Sequence, residues 1–260
     1  MKTRSRILLA ITLGFAIASA RAQFGNQAGG SQGLRFNGAM AKFFGDNGNF
    51  SASLEMEMKG GALADTLKMP GKIAVADGKS RFEMDVMQIK GGGVPESGLA
   101  QMKSMGMDKT VMISRPDQKV SYYIYPNLQA YTQTPMAESE AAEKASNFKI
   151  ETTEAGKETV DGHPCVKTKA VVTDDKGVKQ EAMLWNATDL KKFPVKVERT
   201  EKGTLITMLF KEVKLSKPEA KQFDPPAEMT KYDNAQALMQ GAMAKRLGGG
   251  QGAPPRKQDQ

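Results

Sequence analysis

Ser51-Ala52-Ser53-Leu54-Glu55-Met56-Glu57-Met58-Lys59 is the stretch whose reading decides the fold. Every second residue is apolar, so in an extended chain Ala52, Leu54, Met56 and Met58 share one face while serines and charges take the other. The same period continues outward. Ile73 and Val75 lead into Asp77-Gly78, a strong hairpin signal, and Phe82, Met84 and Val86 return in alternation with Arg81, Glu83 and Asp85. Val111 and Ile113 run into the Pro116-Asp117 turn, and Val120, Tyr122 and Ile124 follow it. Further strands are predicted at about 148–154, 164–173, 178–186, 194–200 and 204–214, parted by turns such as Asp174-Asp175-Lys176-Gly177 and Glu201-Lys202-Gly203. Roughly ten strands with short connections make an antiparallel meander.

Three segments break the period of two. Residues 95–106 carry Leu99, Met102 and Met105 at helical spacing, 135–146 is rich in Ala and Glu, and 232–246 carries Leu238, Met239 and Met243. A long sheet with one apolar face must bury it, and helices laid over its concave side do so. The fold class is therefore mainly β (α+β): a strongly curved antiparallel sheet, a half-open barrel, with helices covering the concave face. Its inward positions are the candidate apolar lining: Leu54, Met56, Met84, Val86, Ile113, Tyr122, Ile124, Met208 and Phe210.

The N-terminus reads as a secretory signal. Lys2, Arg4 and Arg6 precede the apolar run Ile7 to Ala18, and Ala20-Arg21-Ala22 places small residues where a signal peptidase cuts, before Gln23. The run is too short to span a bilayer, which needs roughly 20 residues, and no cysteine follows it for lipid attachment. The expected product is periplasmic, soluble and not lipid-anchored. Loss of four basic and no acidic residues lowers the formal charge from +8 to +4. That residual charge is interspersed rather than striped, and together with export it excludes nucleic acid as a partner. Residues 23–48, rich in Gly, are expected to be a flexible leader, with Met40 to Phe44 the one stretch able to bury surface, 49–245 the barrel domain with its C-terminal helix, and 246–260 a disordered tail.

Composition also removes much chemistry. His163 and Cys165 are the single histidine and single cysteine, so no four-ligand His/Cys zinc site and no internal disulfide can form within one chain. In a strand the pair would share a face, with Asp161 near His163, yet no serine lies in a nucleophile-elbow pattern. No catalytic residue and no cofactor is assigned, and the chain is not read as an enzyme. The 17 methionines are the compositional anomaly. Met102, Met105 and Met107 form Met-x-x-Met-x-Met, a thioether set that suits Cu(I) in an oxidising compartment; against that reading, the remaining methionines fall mostly on inward faces, where flexible polarizable side chains line adaptable apolar surfaces.

Several short motifs fall in a familiar order: Val120-Ser121-Tyr122-Tyr123-Ile124-Tyr125-Pro126, Val160 to Cys165, Leu184-Trp185, and Phe223-Asp224-Pro225-Pro226. With the export leader and the strand order, this resembles the periplasmic LolA/LolB/LppX-like lipoprotein-carrier superfamily, and within it an uncharacterised bacterial domain family, over about residues 49–233. The resemblance implies a curved antiparallel sheet closed by helices that in several members holds acyl chains. The expectation is a non-enzymatic protein that binds an apolar ligand, a lipid or the acyl chains of a lipoprotein, between sheet and helices. The alternative is a filled core whose surface meets another envelope protein.

Overall fold

The computed structural model describes residues 38–136 and 148–246. Strand β1 (Phe50–Gly60) lies in the middle of a twelve-stranded, curved, open sheet. On one side run β2 (Leu67–Ala76), β3 (Lys79–Asp85), β4 (Lys109–Arg115), β5 (Val120–Tyr125) and β6 (Ala130–Pro135). On the other run β11 (Thr204–Lys214), β10 (Phe193–Glu201), β9 (Lys179–Ala187), β8 (His163–Thr173) and β7 (Lys149–Val160). The meander is thus two meanders joined where β1 pairs with β11. β12 (Thr230–Tyr232) extends the sheet beyond β6 and pairs with it in parallel, so the expected all-antiparallel sheet is in fact mixed. β6 and β12 escape the reading of alternation because β6 mixes Ala, Thr and Gln and β12 has three residues.

Tight turns hold the register where the sequence announced them. Asp77 and Gly78 both have positive φ, as do Asp161 and Gly162, the backbone that two-residue hairpins of the favoured twist demand. The β3 to β4 connection is different. It spans 23 residues' worth of numbering, from 86 to 108, and contains a 3-10 turn (Val86–Gln88) and helix α2 (Glu96–Ser104). No tight turn carries face parity across it.

That connection produces the main correction. Phe82 on β3 stands opposite Met112, and Arg81 opposite Ile113. Following these pairs from β1 places Met112 on the face of Met56, while Val111, Ile113, Tyr122 and Ile124 lie on the face of Glu55. Alternation specifies that neighbours in a strand point oppositely, and pairing across strands decides which side is shared. The sheet therefore has two apolar cores, one on each face.

The Met56 face is closed at one end by aromatic rings. Helix α1 (Gly38–Phe43) precedes Phe44, whose ring stacks on Phe50 at 5.1 Å and meets Phe193 and Phe210 edge-on at 5.3 and 5.4 Å. Met40, Phe43 and Phe44 are buried. They fall in the apolar stretch Met40 to Phe44 of the Gly-rich segment, and the clustered rings bury apolar surface there.

Helix α3 (Ala235–Arg246) lies against β6 and β12, burying Leu238 and resting at Gly241 on the ring of Tyr232. Helix α2 sits where a cover was predicted but buries none of its residues. The expected helix at 135–146 falls mainly on 137–147, outside the described residues, as do the signal segment and the tail beyond 246.

Candidate functional site

Pairing turns the inward positions of the Met56 face into cross-strand rows. Met69, Met56 and Met208 face one another across β2, β1 and β11. The adjoining row is Met84, Gly71, Leu54 and Phe210, and the next row outward is Leu67, Met58, Ile206 and Arg199. Gly71 leaves a gap that Phe82 fills: a Cβ there would come within 2.6 Å of the Phe82 ring. Three thioethers in register make a surface whose shape can adjust, because each methionine has three rotatable bonds and a polarizable sulfur.

Burial changes along this face. Phe50, Leu54 and Met56 are buried at the aromatic end, whereas Met58, Leu67 and Met69 are half-buried at the other. Arg199 stands at that less buried end. One guanidinium nitrogen lies 3.1 Å from Glu201, but its Nε is buried with no hydrogen-bond partner among the described residues. A buried donor without a partner forfeits its hydration, at roughly 1–3 kcal/mol.

Leu54, Met56, Met84, Met208 and Phe210 thus share one surface, as expected, and Val86 is buried where the 3-10 turn begins. Ile113, Tyr122 and Ile124 do not join them. They form a separate cluster with Ala74, Ala76 and Val111 on the Glu55 face, and Phe223 closes it completely. Arg115 locks this closure. It donates to both carboxylate oxygens of Asp117, to the Phe223 carbonyl and to Asp224. The pairing raises the Arg115 pKa and lowers that of Asp117, in each case chiefly through their shared hydrogen bonds. This clasp was not anticipated; the signal available was an arginine in an apolar alternation, at a position that a solvated residue would not occupy.

The Met-x-x-Met-x-Met segment has a backbone explanation. Gly106, at φ +74°, ends α2: its N–H donates to Lys103 O and the Met107 N–H to Met102 O, each at 2.9 Å. This is the Schellman arrangement, whose two flanking apolar positions are here Met102 and Met107. Met105 and Met107 lie past the last helical residue, so the three sulfurs are not on one helical face.

His163 bonds Asp189 rather than Asp161, with Nδ1 2.8 Å from the carboxylate, whose pKa that contact lowers. Cys165 donates to the His163 carbonyl, and burial raises its thiol pKa. Among the described residues no three His, Cys, Asp or Glu side chains gather as a metal site. No described helix is long and apolar enough to cross a membrane.

No protein-family model matches the chain, and no curated protein matches it. Solved structures do. LprF from Mycobacterium bovis is similar at 11% identity and a TM-score of 0.38, over 74% of this chain and 94% of that one. The lipoprotein LppX from Mycobacterium tuberculosis is similar at 10% identity and a TM-score of 0.37, over 67% and 93% respectively. A LolA superfamily protein from Nitrosomonas europaea gives 7% identity and a TM-score of 0.37, over 72% and 94%.

Proposed function

We propose that the protein is a non-enzymatic periplasmic binder of an acylated ligand, a lipid or the acyl chains of a lipoprotein, held on the Met56 face. The supporting observation is the buried, unpartnered Nε of Arg199 at the end of the methionine rows. An acyl chain laid along β1, over Met58, Met56 and Leu54, would be stabilised by about 25 cal/mol for each Å² of apolar surface it buries. An ester or phosphate oxygen at the chain's polar end would accept from Arg199. The aromatic cluster at the Phe50 end stops the chain, so the ligand enters from the Met58 end.

Native mass spectrometry of protein purified from its own envelope tests this directly, with co-purified lipid as the expected result. Met56→Asp puts a carboxylate among acyl chains and should abolish retention. The opposing reading, a filled core that contacts another envelope protein, predicts lipid-free wild type and a variant that only unfolds earlier.

A further inference from the structure

Several charges on the Glu55 face are paired: Lys211 bonds Glu55, Lys68 bonds Glu57, Lys196 bonds Glu198 and Lys169 bonds Glu181, all at 2.7–2.9 Å. A groove of about 410 Å³ on the same face is lined by Lys72, Lys214, Arg81, Glu83, Glu212 and Gln222 over Ser51 and Ser53. Among the described residues neither Lys72 nor Lys214 has a carboxylate within ion-pair distance. Small side chains make its floor, since Ser51 stands between Lys214 and Ala74 and Ser53 beside Lys72.

A distortion in β11 builds one wall. Ser51 pairs with Lys214 and Ser53 with Lys211, so β11 carries one extra residue between these pairs. At this bulge Glu212 adopts φ +52°, a left-handed conformation that is unfavourable for a side chain other than glycine. Bulges re-aim side chains, and this one brings Glu212 to Ser53, whose hydroxyl donates to Oε2 at 2.6 Å. Glu212 lines the groove. On the opposite wall Arg81 is fixed by Glu83 at 2.7 Å and by the Gln222 carbonyl at 3.1 Å.

We infer that this groove binds a small zwitterion, its phosphate or carboxylate between Lys72 and Lys214 and its ammonium against Glu212. Two unpaired ammonium groups and one carboxylate outside any ion pair, set in a pocket of small-molecule size, match a ligand carrying both charges. A strained residue that supplies the carboxylate fits a binding role, because strain persists where the surroundings hold it for a purpose. The groove is on the face opposite the acyl site, so the two assignments stand or fall separately.

Calorimetric titration of the full chain at moderate salt, with O-phosphoethanolamine, serine, inorganic phosphate and ethanolamine, tests the assignment. At least one zwitterion should bind tenfold or more tighter than the two singly charged probes. Preference for phosphoethanolamine indicates a lipid headgroup as the source, and preference for serine a free amino acid. The double change Lys72→Met and Lys214→Met should erase the advantage over ethanolamine, and Glu212→Gln the advantage over phosphate. Glu212→Gly relieves the left-handed backbone, so it should melt no lower than wild type while losing zwitterion binding. Zwitterions that bind no tighter than phosphate, or binding unchanged in these variants, would overturn the inference.

Discussion

The two apolar cores of this sheet are built from different materials. On the Glu55 face Val111, Ile113, Tyr122 and Ile124 are sealed by Phe223, and Arg115, held by Asp117, ties the closing segment down through the Phe223 carbonyl and Asp224. On the Met56 face unbranched thioethers stand in register, burial fades toward Met58, and a guanidinium donor lacks a partner. Branched and aromatic side chains with few rotamers, clasped by charge-assisted bonds, specify one packing. Methionine rows tolerate several. The contrast is therefore between the sealed Glu55 core and the methionine rows, since the aromatic end of the Met56 face, Phe44, Phe50, Phe193 and Phe210, is as fully buried as the former.

Truncating Phe223 to Ala should break the stable side most severely, costing about 3–5 kcal/mol in denaturant unfolding. Lipid retained per folded molecule should not change. Loss of retention with little loss of stability would erase the distinction between the faces. Arg115→Met comes next, at about 1–3 kcal/mol, because it leaves polar groups of the clasp unpaired; Arg115→Lys should not restore the loss, since an ammonium cannot reproduce the two-pronged contact with Asp117.

The same clasp sets an acid dependence. Asp117 has a folded pKa below its unfolded one. Its contribution is therefore present above the ordinary carboxylate value of about 3.9 and disappears as pH falls through the lowered folded value. Urea midpoints measured from pH 6 downward should lose that part of their slope in Asp117→Asn. The smallest effect is expected on the adaptable side: Met69→Leu, Met56→Leu and Met208→Leu should each cost under about 1.5 kcal/mol. Stiffer branched side chains should nonetheless narrow the range of acyl lengths seen by mass spectrometry, which sharpens the contrast if stability scarcely moves.

How far the fold could be read ahead follows from where the rules are local. β1 to β3 were legible because alternation and the Asp77-Gly78 turn act within a few residues. The identity of the shared face beyond β3 was not, since it depends on pairing across the long connection that holds α2. Leu54, Met56 and Met84 share a face for the first reason, Met208 and Phe210 join it through the long-range pairing of β1 with β11, and Ile113, Tyr122 and Ile124 fall on the other face for the second. In the Gly-rich segment Met40 to Phe44 stood out as the stretch able to bury surface, while the glycines around it gave no sign of helix α1. Arg199 and Glu212 acquire meaning only from a neighbouring strand or from a backbone angle. Neither is visible in composition or spacing.

The seam between β1 and β11 carries a kinetic consequence. Met56 and Met208 touch registers across most of the folded chain, so this pairing has very high contact order, whereas each meander zips through neighbours in sequence. Loop closure of that length is slow. During folding, β1 keeps one edge unpaired until β11 reaches it. The glutamates and lysines on its outward positions then serve as solubilising guards during the wait, keeping the central strand of the finished sheet from pairing with the wrong molecule.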